Sequence, residues 1–111
     1  MCIRDRVDAA RLLVKTTTRG LIDGAAQNQI PTELEQAAVR RNYGYVAKLC
    51  VRAVNRIFEA AGGHALYDSE AMQRFHRDVH AGSHQFALSW DTIAESYGRA
   101  ALGLPPVSAF R

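Results

Sequence analysis

Three histidines spaced four residues apart are the residues whose types and spacing could do chemistry. His76, His80 and His84 would share one face of an unbroken helix. Imidazoles at that spacing can bind a transition metal, and a single imidazole can transfer a proton near neutral pH. A metal site is disfavoured, because Gly82 could interrupt the helix and no His-Glu-x-x-His motif is present. Histidines without a metal are the preferred interpretation.

The other polar residues near the histidines have ordinary structural explanations. Arg77 and Asp78 belong to a charge cluster that is typical of a solvated helix face. Gly62-Gly63 is typical of a helix C-terminus, since a phosphate-binding loop would need more glycines or an adjoining helix N-terminus. From these residues alone, the chain is a helical bundle with a histidine-rich turn.

Composition and charge limit the classes of function. The chain has 111 residues, with 14 basic and 11 acidic side chains and 48% hydrophobic residues, which suits one small domain. The basic residues are scattered and not interleaved with aromatic ones, so we expect no nucleic-acid binding. No apolar run approaches the roughly 18 residues of a membrane helix, and no secretory signal is present. Cys2 and Cys50 offer no disulfide framework, which favours a reducing cytoplasm.

The two ends of the chain are interpreted separately from the domain. Residues 1–6 do not join the apolar pattern that starts at Val7, and we interpret them as an artefactual tail. Residues 7–106 are interpreted as one helical domain fragment and residues 107–111 as a second tail.

Two long helices are expected in the first half. Apolar residues recur in steps of three and four from Val7 to Leu21, with no clear N-cap. The run of threonines at 16–18 and Gly20 weaken this helix, so a kink near residue 20 is compatible with the sequence. Thr32 and Glu35 form a capping box for the second helix. Its apolar seam comprises Val39, Tyr43, Val46, Cys50, Ala53, Ile57 and Ala61, and it ends at Gly62-Gly63.

Two shorter helices are expected in the second half. An extended stretch at 64–67 precedes the third helix, which Asp68 or Ser69 would cap. The fourth helix would follow an interruption at Gly82-Ser83 and end before Pro105. The inward positions are Met72, Phe75 and Val79 in the third helix, and Phe86, Trp90, Ile93 and Tyr97 in the fourth. Since no strand pattern appears, the sequence predicts an all-α, up-and-down bundle of three or four helices.

Three segments, in this order, resemble a known family. They are Gly62–Asp68 (GGHALYD), Gln73–Ala81 (QRFHRDVHA) and Tyr97–Pro106 (YGRAALGLPP). The chain resembles the C-terminal domain of the two-component, flavin-dependent monooxygenases related to acyl-CoA dehydrogenases. The resemblance implies part of a helical bundle through which such proteins assemble as homotetramers. It also implies that reduced flavin, FMN or FAD, arrives from a separate flavin reductase and serves, with O₂, to hydroxylate an aromatic substrate.

The resemblance further implies which residues serve the site. A histidine of this region is expected near the reacting end of the flavin, and the candidates are His80 and His84, with Ser83 as a hydrogen-bond donor between them. The family's histidine commonly falls eight residues after the arginine of the Arg-Asp pair. That position here is Gln85, so the two candidates stay open and His84 is favoured.

The expected flavin contacts lie outside that turn. Arg77 and the turn at Gly62-Gly63 are expected to contact the flavin or a neighbouring subunit. A structural salt bridge is an equal alternative for Arg77.

Two alternatives belong to other classes. A true acyl-CoA dehydrogenase commonly places a glutamate base shortly after its Arg-Asp pair, and no carboxylate occurs here between Asp78 and Asp91. A non-catalytic helical module for assembly is the third interpretation. The fragment by itself is expected to be inactive, because the β-domain that would cover a flavin is not part of it.

Overall fold

Four α-helices make up the chain in the computed structural model, which describes residues 2–106. They are α1 (Ile3–Ala26), α2 (Glu33–Ala61), α3 (Ala71–Ser83) and α4 (Trp90–Ala101). Short 3-10 helices at Gly62–Leu66 and Phe86–Leu88 connect α2 to α3 and α3 to α4. No strand occurs among the described residues, and the all-α prediction is confirmed. The predicted tail at 107–111 lies outside the described residues.

The helix α2 is the central element, against which the other three helices pack. α1 forms an antiparallel hairpin with it. α3 and α4 follow one another along another face of α2, and both run antiparallel to it. His76 of α3 stacks on Phe58 near the end of α2, with ring centroids 4.2 Å apart, and Ile93 of α4 packs at Gly44 nearer the start of α2. The turn between α3 and α4 therefore lies beside the middle of α2.

The start of α1 differs from the expectation. The helix begins at Ile3, four residues before Val7, so the residues before Val7 do join the helix. Cys2 caps it: its Sγ accepts from the Asp5 backbone N–H at 3.4 Å, and the Asp5 carboxylate accepts from the Cys2 N–H at 3.1 Å. The sequence pattern missed this cap because cysteine is not a usual N-cap residue. That residues 1–6 are an artefact stays a prediction.

The sequence signals near Gly20 do not interrupt the helix, and α1 is continuous to Ala26. The threonine run contributes contacts to α2. Thr17 is buried and accepts a hydrogen bond from the Asn42 side chain at 3.0 Å, and the hydroxyls of Thr18 and Tyr43 are hydrogen-bonded at 3.0 Å. Packing of this kind outweighs a weak helix propensity.

The ends of α2 were predicted correctly, and its buried face was predicted in part, since Val39, Tyr43, Val46 and Cys50 of the seam are half-buried. The Thr32 hydroxyl accepts from the Glu35 N–H at 3.2 Å, and the Glu35 carboxylate accepts from the Thr32 N–H at 2.7 Å. Gly62, with φ of 64°, ends the helix. Of the predicted seam only Ala53 is fully buried, while Ile57 is 41% exposed. The other buried residues of α2 are Ala37, Gly44, Leu49 and Val54, because partners on two faces bury more than one stripe.

The start of α3 also differs from the prediction. Glu70 occupies the N-cap position, in place of Asp68 or Ser69, and the expected extended stretch at 64–67 is mostly 3-10 helix. The glycine pair allows a tight helical turn directly after α2. The expected interruption at Gly82-Ser83 is confirmed, since α3 runs through Gly82 and ends at Ser83, before the connection to α4.

Two aromatic residues that were predicted to face inward do not. Phe75 is 52% exposed and Phe86, which lies before α4, is 55% exposed. Ile93 is the buried anchor of α4, at 1% exposed. On α3 the predicted Met72 and Val79 are half-buried, and His76 and His80 contact α2 through Asn55.

The described surface is large and partly apolar. The accessible surface is 7707 Å² for a 12.3 kDa chain, against roughly 6,100 Å² for a compact monomer of that mass. The most exposed large apolar side chains are Leu12, Ile22, Ile30, Leu66, Leu102 and Tyr67. Within the described residues, no helix is long and apolar enough to cross a bilayer.

Candidate functional site

Ser83 and His84 lie where α3 ends, and both line a cleft against α2. The cleft has a volume of about 330 Å³ and is open to solvent on one side. Its other lining residues come from α2, from the connection and from the start of α4: Gly44, Ala47, Lys48, Val51, Leu88, Ser89, Trp90 and Asp91. The cleft thus combines an aromatic wall with one ammonium, one carboxylate and one imidazole.

The backbone of α3 fixes the orientation of the His84 ring. His84 is the C-cap residue of α3, and its Nδ1 lies 2.7 Å from the backbone carbonyl oxygen of His80. A carbonyl oxygen only accepts, so Nδ1 donates and carries a proton. Nε2 is therefore the nitrogen that the backbone leaves unengaged, and in neutral imidazole it accepts.

Ser83 uses its hydroxyl proton within the same turn. Its Oγ donates to the His80 carbonyl oxygen at 2.8 Å and lies 3.4 Å from Nδ1 of His84. The carbonyl thus accepts from both side chains, which suits its two lone pairs. Ser83 and His84 lie together at the end of α3, with the Ser83 proton directed at the backbone, and their role in a site stays a prediction.

The side chain of His80 lies in a different environment from that of His84. Nε2 of His80 and Nε2 of His76 both approach Oδ1 of Asn55, at 2.7 and 3.0 Å. The two imidazoles lie against one another with ring centroids 4.4 Å apart. His80 is thus held against α2, and its backbone carbonyl oxygen contacts the side chains of Ser83 and His84.

The environment of His80 favours its neutral form. Partial burial lowers the pKa of His80 below its ordinary value, and the neighbouring His76 and His84 lower it further. A charged imidazolium at His80 would face two other imidazoles while it is partly removed from water. His80 thus serves the α2–α3 contact as a neutral hydrogen-bond donor to Asn55.

The three spaced histidines do not converge on one point. His76 and His80 share Asn55, whereas His84 turns back on its own helix end. Within residues 2–106, no group of three or more His, Cys, Asp or Glu side chains is placed to hold a metal ion.

The residues expected to contact the flavin lie apart from the cleft. The Arg77 guanidinium lies 3.8 Å from the Asp78 carboxylate, and its side chain is 69% exposed. Gly62 and Gly63 are exposed at the end of α2, and a Cβ added to either would meet nothing within 4 Å. The 13 residues of α3 separate them from His84 by about 20 Å.

Two larger grooves run along α1. One, of about 530 Å³, lies on the outer face of α1 around Lys15 and Ile22, and the other, of about 520 Å³, lies between α1 and α2 around Gly24 and Asn42. Neither is lined by a histidine or a cysteine, so the cleft at His84 is the better candidate for chemistry.

A comparison with protein families matches residues 2–90 to the acyl-CoA dehydrogenase C-terminal domain. The chain belongs to that family. The match covers α1, α2 and α3 and reaches Trp90, so it includes the turn that carries Ser83 and His84.

Among curated relatives of this acyl-CoA dehydrogenase C-terminal domain are oxygenase components of monooxygenases. The oxygenase component of p-hydroxyphenylacetate 3-hydroxylase from Acinetobacter baumannii is 33% identical over 102 residues, which are 91% of this chain and 24% of that protein. The oxygenase subunit HsaA of a flavin-dependent monooxygenase from Mycobacterium tuberculosis is 37% identical over 82 residues, which are 74% of this chain and 21% of that protein. The chain thus spans about a quarter of the length of these relatives.

A solved structure shares the fold over nearly the whole chain. XiaF from Streptomyces sp., in complex with FADH2 and glycerol, superposes with a TM-score of 0.89 at 25% identity, covering 95% of this chain and 26% of XiaF. The helical bundle of acyl-CoA dehydrogenase type that the sequence predicts is thereby confirmed.

Sequence reasoning missed several residues of the site. Asn55, which binds two histidines, lies on α2 far from them in sequence and carried no signal of its own. Lys48 and Asp91 enter the cleft from two different helices, and Trp90 had been assigned to the core. Only the packing of α3 and α4 along α2 brings these residues together.

Proposed function

We propose that this chain is the C-terminal part of the oxygenase component of a two-component, flavin-dependent monooxygenase that hydroxylates an aromatic substrate. The observation that carries the proposal is the His84 imidazole, which lines a cleft beside Trp90 with only its Nδ1 engaged by the backbone. The similarity to oxygenase components over 91% of the chain supports it.

The residues of the cleft fit one end of a flavin or an aromatic substrate. Its volume of about 330 Å³ is at the lower end of ligand sites. Trp90 supplies a flat apolar wall, and His84 and Ser89 supply polar groups at its edge. Reduced flavin, FMN or FAD, would activate O₂ for hydroxylation when bound. This chain's residues would orient the ring and keep water from one side of it.

The remaining walls of the site would come from outside this chain. An accessible surface roughly a quarter above that of a compact monomer suits a domain that other domains and subunits cover. We propose a homotetramer, a separate flavin reductase as the source of reduced flavin, and a cytoplasmic location. Exposed Arg77 and the Gly62-Gly63 turn are proposed contacts to flavin or to a neighbouring subunit.

The test is oxygenation by the full-length protein that contains this chain. With a reductase, NADH, flavin and ¹⁸O₂, a phenol such as p-hydroxyphenylacetate should gain one ¹⁸O atom. His84→Gln should lower the hydroxylation rate at least tenfold and change flavin affinity less than threefold. The matched control is His64→Gln, in the 3-10 helix that precedes α3, which should behave as wild type. Normal hydroxylation by both His84→Gln and His80→Gln would refute the site.

A second candidate function, an acyl-CoA dehydrogenase, is kept because Asp91 lines the cleft. A carboxylate there could take the α-proton that such a reaction requires. Anaerobic reduction of bound flavin by a saturated acyl-CoA, lost in Asp91→Asn, would establish it. Under the monooxygenase proposal no acyl-CoA reduces the flavin, either in the wild-type protein or in Asp91→Asn.

The isolated 111-residue chain should bind reduced flavin weakly or not at all, because one open cleft cannot enclose it. Anaerobic fluorescence titration measures this directly. Tight, stoichiometric binding would contradict the view that the rest of the site lies outside the chain.

A further inference from the structure

We propose that His76, His80 and Asn55 form a binding site for a divalent transition-metal ion, which would link α3 to α2. The ions concerned are those that imidazole ligands suit, namely Zn²⁺, Ni²⁺ and Cu²⁺. None of the three residues lines the cleft of Ser83 and His84, so the site is separate from the one described above and does not depend on the proposed function.

Three donor atoms from two helices meet at this site. His76 and His80 are one helical turn apart on α3, and Nε2 of each approaches the same atom, Oδ1 of Asn55, at 3.0 and 2.7 Å. An ion about 2.1 Å from three ligand atoms at right angles to one another places neighbouring ligand atoms about 3.0 Å apart. The two observed separations are close to that spacing, so coordination requires only small movements of the side chains.

Packing holds the two rings in place before an ion binds. The His76 ring stacks on Phe58 of α2, with centroids 4.2 Å apart, and on the His80 ring, with centroids 4.4 Å apart. All three donors are carried by regular helices, which position ligands more precisely than loops do. The imidazoles are therefore directed at Asn55 without the ion, and little side-chain freedom is lost when it binds.

The donor set decides which ions the site accepts. Two imidazole nitrogens and one amide oxygen are all neutral, and no third histidine, cysteine or carboxylate joins the pair within residues 2–106. The site thus differs from the three-histidine site that the spacing suggests, because Nδ1 of His84 is turned to the His80 carbonyl. Water would complete the coordination shell. Mg²⁺ and Ca²⁺ require oxygen ligands and should not bind.

Binding exchanges two hydrogen bonds for bonds to the ion and involves no oxidation or reduction. Without an ion, Nε2 of each ring donates to Oδ1 of Asn55, because an amide oxygen only accepts. With an ion, the lone pair of each Nε2 forms the bond to the metal, and each neutral ring carries its proton on Nδ1. The Asn55 oxygen then directs a lone pair at the ion in place of the two N–H groups.

The first test is Zn²⁺ binding by the full-length protein, stripped of metal with EDTA and titrated against a colorimetric chelator at slightly alkaline pH. We expect one ion per chain whose binding depends on both rings. His76→Gln and His80→Gln should each weaken that binding at least about tenfold, since even the loss of an outer-shell partner commonly costs that much. His84→Gln and His64→Gln are the matched controls and should bind as the wild type does, and Mg²⁺ should not compete.

The third ligand is tested by Asn55→Asp. A carboxylate in place of the amide adds a negative charge beside the ion and should tighten Zn²⁺ binding at least about tenfold, because affinity rises with ligand charge. Bound Cu²⁺ provides a spectroscopic readout of the same site. Its electron paramagnetic resonance spectrum should show coupling to two imidazole nitrogens in the wild type and to one in His76→Gln.

The absence of any Zn²⁺ binding that depends on His76 and His80 would overturn the proposal, and so would an affinity that falls in His84→Gln alone. An unchanged or weaker affinity in Asn55→Asp would overturn the role of Asn55 and with it the link between α3 and α2. If the glutamine variants fail to fold, the Asn55→Asp titration and the copper spectrum of the wild type decide the question. Hydroxylation enters none of these measurements, so the metal site and the proposed function can fail independently.

Discussion

The close approach of α4 to α2 at Gly44 yields a quantitative prediction. A Cβ built at Gly44 would lie 2.9 Å from Cδ1 of Ile93 and 3.6 Å from Cε3 of Trp90. Ile93 is only 1% exposed, so its Cδ1 has little room to move, and overpacking of this kind costs about 1–3 kcal/mol. Alanine is also a better helix former than glycine by about 1 kcal/mol. Gly44→Ala should therefore lower the free energy of unfolding by about 0–2 kcal/mol.

The matched control is Gly20→Ala. Gly20 also lies inside a helix, and a Cβ there would meet nothing within 4 Å. That variant should gain about 1 kcal/mol from helix propensity alone, so the two variants should differ by about 1–3 kcal/mol. Urea unfolding of the 111-residue chain, followed by circular dichroism, measures the difference.

Removing the contacting atom should rescue the variant. Ile93→Val deletes Cδ1 and leaves Cγ2 at 3.5 Å from the added Cβ, which is ordinary contact. Ile93→Val alone should cost about 0.5–1.5 kcal/mol and should cost less, or nothing, beside Gly44→Ala. Two results together would refute the close packing that shapes this wall of the cleft. Gly44→Ala and Gly20→Ala would have equal free energies of unfolding, and Ile93→Val would cost the same with and without Gly44→Ala.

Three further predictions concern stability. Ile93→Ala, at a site 1% exposed, should cost about 2–5 kcal/mol in urea unfolding, whereas Leu12→Ala, at a site 67% exposed, should cost less than about 0.5 kcal/mol. Thr32→Ala removes the capping box of α2 and should cost about 1 kcal/mol; no loss of stability would contradict the cap. Because the pKa of His80 in the folded chain is below its ordinary 6.5, the unfolded chain binds that proton more readily, so stability should be fully present above about pH 6.5 and fall as the pH drops below it. His80→Gln should flatten that dependence in urea unfolding between pH 5 and 7.5, and an unchanged slope would contradict the lowered pKa.

Local signals in the sequence predict helix ends where the cap is made by neighbouring residues. Thr32 and Glu35 satisfy one another's backbone groups three residues apart, so the start of α2 needs no tertiary information. The start of α3 does need tertiary information, because the 3-10 helix at Gly62–Leu66 changes the position at which the following helix can begin. The buried residues of α2 that lie outside the predicted seam were also missed for want of tertiary information. A single helical period describes a helix with one partner, and α2 packs against α1 on one face and α3 and α4 on another.

The site shows where spacing stops predicting chemistry. Steps of four place His76 and His80 together, and the structure confirms that pair through Asn55. The same step would place His84 with them only if the helix continued. Because α3 ends at Ser83, the ring of His84 turns back to the last-turn carbonyl and contributes to a cleft that also contains Trp90. The end of a helix leaves carbonyls unpaired, and an imidazole that pairs with one of them acquires a fixed tautomer. The property that distinguishes His84 from His80 therefore arises from where α3 stops.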